Sequence, residues 1–346
     1  MLEELRKLKN MNQLKSVSEI GENLTVILRL DLDLPIENDV VLDNSRLLKS
    51  LPTIKLLLEK NNKIIIIGHR GRPQSRDINL SLKVVYVELL GLLENNLLNS
   101  VFIDDIKDVN KIKTGLENCQ IIFIENLRFW KEEEENDPLL FENLKYLSDA
   151  FVNDAFAVAH RKSASVMLQQ WMETYYGLSF CEEAEKIGKL VENPEKPVTI
   201  VLGGAKEDKL KYLPELEKIA DYILVGGKLP KLIKESVGEK VKIAKLREDG
   251  LDLNDEDIRK FKEIILQSGT VVWAGAMGMY EDNNCQKGTT EIALAVAESK
   301  GYKVIAGGDT AASIKNLGLE NKIDFICSGG GVMLEYLVKG TLPAWE

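Results

Sequence analysis

Apolar runs alternate with segments of helical periodicity along most of this 346-residue chain. The helical spacing is clearest from Arg46 to Lys60, where apolar residues recur every three or four positions, and a second helix is predicted from Ser81 to Leu93. Strand–helix alternation of this kind predicts a parallel sheet with helices on both faces. The predicted strands of this first series are 25–30, 63–67, 100–103 and 119–124.

One charged helix, Phe180 to Asn193, interrupts the alternation and ends at the Asn193-Pro194 pair. A second series follows, with strands predicted at 198–202, 222–225, 270–273, 303–306 and 325–327. We therefore expect an α/β protein with two Rossmann-like lobes, each a parallel sheet flanked by helices, joined by an interdomain helix. The predicted boundaries are 1–180, 181–193 for the helix, 194–337, and a tail, 338–346, that returns towards the first lobe.

Composition narrows the class of protein. The net charge of −10 gives no broad basic surface for nucleic acid, and no apolar stretch reaches the length of a membrane span. The charged N-terminus lacks the apolar core of a signal peptide. The four cysteines (Cys119, Cys181, Cys285 and Cys327) form no CxxC pair, which disfavours a zinc site or a disulfide framework. We expect a cytoplasmic protein that binds neither nucleic acid nor membrane.

Cationic side chains recur where the strands of the first series end. Because ligands of open parallel sheets bind beyond the carboxyl ends of the strands, these cations should meet at one crevice. Arginine suits such a site because its planar fork meets carboxylate or phosphate oxygens two at a time. As single residues they would be solvated or structural; as a set they favour an anion site. The set is Arg29, His69, Arg72, Arg128, His160 and Arg161.

Strand ends of the second series carry glycine instead. Glycine lets backbone N–H groups approach phosphate, and a following helix N-terminus favours negative charge. Asp309 is positioned to bind Mg²⁺, directly or through water. Together these features predict a nucleotide-binding lobe, although GxGxxG and Walker A motifs are both missing from the sequence. The glycine segments are 203–206, 226–228, 307–310 and 329–331.

From Leu24 to Pro343 the motifs and their order resemble those of phosphoglycerate kinases. Arg29 to Pro35 is similar to the family's RxDxNxP, and Gly68 to Pro73 to its SHLGRP. Glu125 to Phe129 reads ENLRF, as in the family. The remaining matches are Asn153–Arg161 (NDAFGTAHR), Val201–Lys206 (ILGGAK), Trp273–Gly278 (WNGPMG), Gly307–Ala311 and Ser328–Gly331.

The resemblance implies a reaction and a role for each matched position. The reaction is reversible phosphoryl transfer between ATP and the carboxylate of 3-phosphoglycerate, which gives 1,3-bisphosphoglycerate and ADP in a Mg²⁺-dependent, monomeric enzyme of glycolysis and gluconeogenesis. Arg46, Lys206 and Lys209 would be catalytic, and Asp309 would engage the metal. The positions implied for 3-phosphoglycerate are Arg29, Asp31, Asp33, His69, Arg72, Arg128 and Arg161; those implied for the nucleotide are Gly204, Lys206, Gly227, Glu281, Gly308, Asp309 and Thr310.

The chain departs from the family pattern mainly in its second half. The family's GGAK is followed four residues later by a second lysine, whereas Lys209 comes three residues after Lys206. In an α-helix that shift rotates a side chain by about 100°, so we expect Lys209 to point elsewhere, with Lys211 as the alternative. Asp33 replaces the asparagine of RxDxN, and a DIGP-like turn is missing or rebuilt as Leu251 to Phe261.

These departures leave two further interpretations open beside an active kinase. One is a degenerate paralogue that binds ligand without turnover, which the displaced lysine and the shortened lobe favour. Retention of Arg46, Lys206 and Asp309 favours the enzyme. The other, more distant interpretation is a dehydrogenase, which the missing GxGxxG motif disfavours.

Overall fold

The protein is described by a computed structural model that covers residues 14–93, 99–234 and 236–345. The first thirteen residues of the predicted first lobe, and Glu346 of the predicted tail, lie outside the described residues. The chain divides into two units: Met1–Ala184 with Thr341–Glu346, and Glu185–Gly340. Each unit is an α/β layer structure with its own parallel sheet, so the predicted fold class is confirmed.

The first unit contains eight strands and five helices, together with the start of a sixth helix, within the residues described. The strands are β1 (Thr25–Leu30), β2 (Ile36–Glu37), β3 (Val40–Val41), β4 (Lys63–Ile67), β5 (Ser100–Ile103), β6 (Ile121–Ile124), β7 (Ala150–Asp154) and β8 (Thr174–Tyr176). The helices are α1 (Ser45–Glu59), α2 (Lys83–Leu92), α3 (Val109–Asn118), α4 (Lys131–Glu134), α5 (Glu142–Tyr146) and α6 (Leu178–Glu192). The boundary between the units falls inside α6, after Ala184.

Six of these strands form one parallel sheet in the order β5-β6-β4-β1-β7-β8. Its central strands bury both faces, because side chains alternate between them with a period of two. In β4, Ile64 and Ile66 join one apolar cluster while Ile65 and Ile67 join the cluster on the other face. This double burial explains why these strands are continuous apolar runs in the sequence.

The register of the sheet aligns the carboxyl ends of its strands. Arg29, near the end of β1, pairs with Ile67 of β4 on one side and with Asn153 of β7 on the other. The segments that follow β4 and β7 therefore leave the sheet beside Arg29. The register of the sheet therefore brings residues to the same edge as Arg29 although they lie some forty and more than a hundred positions from it in sequence.

The second unit repeats this architecture with different residues at the strand ends. Its strands are β9 (Val198–Leu202), β10 (Tyr222–Val225), β11 (Val241–Ile243), β12 (Thr270–Ala274), β13 (Tyr302–Ala306) and β14 (Phe325–Cys327). They form a parallel sheet in the order β11-β10-β9-β12-β13-β14. The further helices are α7 (Leu213–Ile219), α8 (Asp255–Leu266), α9 (Lys287–Glu298), α10 (Gly308–Asn316) and α11 (Gly330–Lys339).

The segment that the sequence analysis described as missing or rebuilt forms a turn and a capped helix. Arg247 to Leu253 is a tight hairpin, closed by a bond from Arg247 N to Asp252 O (2.9 Å). Asn254 then caps α8, because its side chain accepts from Asp257 N at 2.8 Å. With β11 at its edge, the second sheet has six strands, as many as the first.

Most predicted strand and helix boundaries lie within two residues of the observed ones. Strands β2, β3, β8 and β11, each of only two or three residues, are missing from the prediction, and so is the five-residue β7, whose sequence ends in the polar residues Asn153 and Asp154. The helix predicted from Ser81 begins later, at Lys83, because the Ser81 hydroxyl is bonded to Glu125 (2.7 Å). Across the described residues, no helix combines the length and the apolar character that a membrane span needs.

The C-terminal segment is bonded into the first unit. Ala344 N donates to Ala159 O at 3.0 Å, and the Tyr176 hydroxyl donates to Ala344 O at 2.9 Å. The Trp345 ring packs edge-on against Phe180 in the first turns of α6, with centroids 5.6 Å apart. The first unit is therefore built from two chain segments that are far apart in sequence.

A buried carboxylate caps the start of α6. Asp154, at the end of β7, is 5% exposed, and its Oδ1 accepts from Phe180 N at 2.9 Å. Burial raises the pKa of Asp154 to about 6, and nearby Glu183 acts in the same direction. Because its folded pKa lies above the unfolded value, the fold binds this proton more tightly than the unfolded chain. The associated stability is present below about pH 4 and is lost as the pH rises to about 6.

We therefore predict that Asp154→Asn removes one pH-dependent contribution to stability while keeping an acceptor for Phe180 N. The free energy of unfolding of the variant, relative to the unsubstituted protein, should rise by up to roughly 3 kcal/mol between pH 4 and pH 6 and stay constant above, because one pKa unit corresponds to about 1.4 kcal/mol. Urea titrations at a series of pH values measure this difference. A difference that does not change with pH would contradict it.

Candidate active site

Four elements of the first unit contribute side chains to one cavity of about 360 Å³. Arg29 lies in β1, His69 follows β4, Arg128 follows β6, and Arg161 follows β7. The cavity is also lined by two carboxylates of α4, the buried Glu133 and the exposed Glu134. We call this space the arginine cavity. The predicted convergence of cations at strand ends is therefore observed for these four residues.

Several donors at the arginine cavity are buried without a hydrogen-bond partner. They are Arg29 Nη1, Arg161 Nε and His69 Nδ1. A buried polar atom without a partner costs free energy, so this arrangement is stable only because a ligand or water can satisfy it. An anion with several oxygens fits these donors.

The electrostatics of the cavity also favour an anion. The pKa of Arg29 is lowered to about 10, mainly by burial; Glu133 and Asp31 oppose this effect, and the charges of Arg128 and Arg161 add to it. Burial, followed by these same arginines, holds the pKa of His69 well below its ordinary value. His69 is therefore a neutral hydrogen-bonding group at neutral pH, and an entering anion relieves the repulsion among the arginines.

Asn126 fixes the two loops that carry His69 and Arg128. Its Oδ1 accepts from Arg70 N (3.1 Å) and Arg128 N (3.2 Å), and its Nδ2 donates to Arg70 O (2.7 Å). The preceding Glu125 accepts from Leu82 N at 2.7 Å. Neither Glu125 nor Asn126 was predicted to have a role. The feature that could have indicated one is a pair of polar residues directly after a fully buried strand.

The remaining residues predicted for the substrate are engaged differently. Arg46 Nη1 donates to both oxygens of Asp31, at 2.7 and 2.8 Å. Asp33 accepts from Gly71 N at 2.8 Å, so it stabilises the turn of the His69 loop. Arg72 is exposed and does not line the cavity, although its charge lowers the pKa of Arg161, after the larger effect of burial.

A second cavity, of about 350 Å³, lies in the second unit. We call it the glycine cavity; Gly204, Gly227, Lys228, Leu251, Glu281 and Asp309 are among the residues that line it. Gly227 has a φ of 63°, and a Cβ there would stand 2.5 Å from Gly204 N, so only glycine fits. Three strand-end segments meet here through bonds from Gly204 N to Ala276 O and from Lys228 N to Gly204 O.

Two predicted nucleotide positions lie at the start of α10. Gly308 and Asp309 form its exposed first turn, where backbone N–H groups are unpaired within the helix. Thr310 is fully buried, and its hydroxyl accepts from Gly275 N at 2.8 Å. The side chain of Thr310 therefore holds the WNGP-like segment in place, and the expectation that it lies beside phosphates applies only to its backbone.

The expectation that Lys209 points away from the strand ends is wrong. Lys209 Nζ donates to Gly203 O (2.8 Å) and Ala274 O (3.0 Å), at the ends of β9 and β12. The segment Glu207–Tyr212 is a 3₁₀ helix that begins after Lys206. In a 3₁₀ helix, residues three positions apart lie on the same side, as residues four positions apart do in an α-helix. The tighter helix therefore compensates for the one-residue shorter spacing between Lys206 and Lys209.

Burial lowers the pKa of Lys209 to about 8, because its ammonium group is largely removed from solvent. Lys211, the alternative considered, lies over the ring of Tyr212 at 4.7 Å from its centroid. Of these two lysines, Lys209 is therefore the one at the strand ends. Lys206 is exposed at the start of the 3₁₀ helix.

The family pattern described as phosphoglycerate kinase matches residues 18–249 and 231–340. The chain belongs to the phosphoglycerate kinase family. A phosphoglycerate kinase of Dictyoglomus turgidum is 34% identical, with 92% of this chain and 93% of the relative covered. One of Finegoldia magna is 32% identical, with 93% and 95% covered.

Solved structures of phosphoglycerate kinases share the fold. The structure from Pyrococcus horikoshii OT3 superposes with a TM-score of 0.82 at 26% identity, covering 96% of this chain and 97% of that chain. The structure from Coxiella burnetii gives 0.75 at 27% identity, with the same shares covered. The resemblance and the enzyme class inferred from the sequence are therefore confirmed, and nothing in these comparisons favours a degenerate paralogue.

We predict that His69 stays neutral down to well below pH 6.5 in this phosphoglycerate kinase family member. The chain has only two histidines, so His69 can be assigned in a proton NMR titration with one His69→Gln variant. Its imidazole resonances should not shift between pH 8 and pH 6, because burial and the arginines disfavour the charged form. A normal midpoint near pH 6.5 would show that the arginine cavity is more solvated than described.

Proposed function

We propose that the arginine cavity binds 3-phosphoglycerate, that the glycine cavity binds ATP or ADP, and that the chain transfers the phosphoryl group between them. The products in the forward direction are 1,3-bisphosphoglycerate and ADP. The observation that carries this proposal is the set of buried, unpartnered donors on three cationic or polar side chains of one cavity. A substrate with one carboxylate and one phosphate supplies oxygens for such donors.

The acceptor carboxylate is ionised at neutral pH, so the reaction requires no general base. The neutral His69 fits a role as a hydrogen-bonding ligand. Catalysis then consists of in-line positioning and of neutralising charge on the phosphoryl oxygens. We assign this neutralisation to Arg46, Lys206 and Lys209.

Contacts with 3-phosphoglycerate are assigned at two levels. Arg29, His69, Arg128 and Arg161 line the arginine cavity and are proposed as direct ligands. Arg72 is proposed as a ligand from its exposed position beside Arg161. Asp31 and Asp33 are proposed to position Arg46 and the His69 loop through the bonds described above.

Nucleotide contacts are proposed for the residues around the glycine cavity. Gly204, Gly227 and Gly308 allow close approach of phosphate or base to the backbone, and Glu281 is proposed to hold the ribose hydroxyls. Asp309 lines the cavity, and its carboxylate fits a Mg²⁺ that takes its other ligands from phosphates and water. Mg²⁺ would neutralise charge on the nucleotide phosphates when bound.

Cellular context follows as a further part of the proposal. We propose a cytoplasmic, monomeric enzyme whose partners are small molecules rather than nucleic acid or membrane. The net charge of −10 supports this, because an acidic chain presents no broad basic surface, whereas several cations meet locally at the arginine cavity.

A coupled assay with ATP, Mg²⁺ and 3-phosphoglycerate tests the proposal. Turnover by the unsubstituted protein is expected, and Arg46→Ala should lower kcat by at least ~100-fold, as loss of one transition-state charge contact typically does. Affinity for either substrate alone should change little. Arg259→Ala, which removes an exposed helix arginine, is the matched control and should retain full activity. A protein that binds both ligands without turnover would be the degenerate paralogue instead.

A further inference from the structure

Glu133 is a buried carboxylate at the arginine cavity to which the phosphoryl-transfer chemistry assigns no role. It lies in α4 and is 2% exposed. Its Oε1 accepts from the Ser165 hydroxyl at 2.5 Å, and its Oε2 accepts from Ser165 N at 2.9 Å. Backbone bonding adds to this, because Ala164 N donates to Glu133 O at 2.9 Å.

The same serine holds Arg29. Arg29 Nε donates to Ser165 Oγ at 2.7 Å, and Arg29 Nη2 lies 3.9 Å from Glu133 Oε1. The hydroxyl of Ser165 therefore accepts a hydrogen bond from Arg29 and donates one to Glu133. Two of the three nitrogens of the guanidinium are engaged by this pair, and Nη1 remains buried without a partner.

We propose that Glu133 is a positioning residue for the substrate site: through Ser165 it holds the Arg29 guanidinium in one orientation, so that Nη1 is presented to the bound anion. This inference rests on the proposed function of the arginine cavity. The Glu133 carboxylate repels an anionic substrate by its charge, yet it supports binding of that substrate because it orients Arg29.

The need for a carboxylate at this position follows from the charges around Arg29. Arg29 is 1% exposed, and its neighbours Arg128 and Arg161 are cations that disfavour its charged form. A buried guanidinium without a counter-ion is strongly destabilised. Glu133 raises the pKa of Arg29 against burial and against the two arginines, and Asp31 acts in the same direction.

The next two carboxylates of this segment provide a comparison. Glu134 is largely exposed and lies 3.4 Å from Arg128 Nε. Glu135 is exposed and is not among the residues that line the arginine cavity. Glu135→Gln therefore makes the same change of charge two residues away, outside the Arg29–Ser165 contact.

Calorimetric titration with 3-phosphoglycerate and with Mg-ATP, together with steady-state kinetics, tests the proposal on the full chain. Glu133→Gln should weaken 3-phosphoglycerate binding and raise its KM by at least ~10-fold, because the charged acceptor of the Ser165 hydroxyl and the counter-charge of Arg29 are lost together. The Kd for Mg-ATP should change less than about twofold, as expected for sites without a shared partner. Glu135→Gln should match the unsubstituted protein in all three quantities.

A second variant, Glu133→Asp, shows whether the charge of Glu133 or only its packing supports 3-phosphoglycerate binding. Aspartate keeps the charge but is shorter, whereas glutamine keeps the shape and loses the charge. The proposal expects Glu133→Asp to retain more 3-phosphoglycerate affinity than Glu133→Gln. The reverse order, or equal and unchanged affinities, would overturn it.

Ser165→Ala keeps the test decisive if Glu133→Gln fails to fold. It removes the hydroxyl between Arg29 and Glu133 without changing any charge, and is expected to weaken 3-phosphoglycerate binding several-fold with Mg-ATP binding unchanged. Unchanged 3-phosphoglycerate affinity in Ser165→Ala would overturn the proposal. If the unsubstituted protein binds no 3-phosphoglycerate, the proposed function fails and this inference with it; if it binds and Glu133→Gln is silent, only the inference fails.

Discussion

The first unit depends on one constraint: several positively charged side chains lie close together at one edge of its sheet. Parallel strands bring their carboxyl ends to the same side, so Arg29, Arg128 and Arg161 meet at one cavity. Buried like charges are costly unless counter-charges lie nearby. Glu133 is such a counter-charge within the protein, and the anion proposed to bind here is a second.

The second unit uses the same topology with backbone groups instead of guanidinium groups. Glycine at the ends of β9, β10 and β13 brings N–H groups to the surface of the glycine cavity, and Lys228 adds a positive charge to its lining. Lys209 shows how the chain tolerates its shortened sequence. A 3₁₀ turn keeps its ammonium at the strand ends, where an α-helical turn would have carried it away.

The fold and the ligand-facing cations could be predicted because they follow from local patterns. Arg29, His69, Arg128 and Arg161 each follow or end an apolar run, and the sheet rule then places them together. Glu133 and Ser165 could not be predicted in this way, because the contact joins α4 to a loop thirty-two positions later and has no periodic signal. The error at Lys209 has a related origin: the choice between 3₁₀ and α turns depends on packing around Tyr212 and α11, not on the spacing of the lysines.

The central claim is that arginines from separate strand ends form one anion site. Calorimetric titration of the unsubstituted protein and of Arg128→Ala with 3-phosphoglycerate measures it most directly. We expect Arg128→Ala to lose about 2 kcal/mol of binding free energy, the scale of one charge-assisted contact. Unchanged affinity in Arg128→Ala and in the corresponding alanine variant of Arg161 would contradict the account.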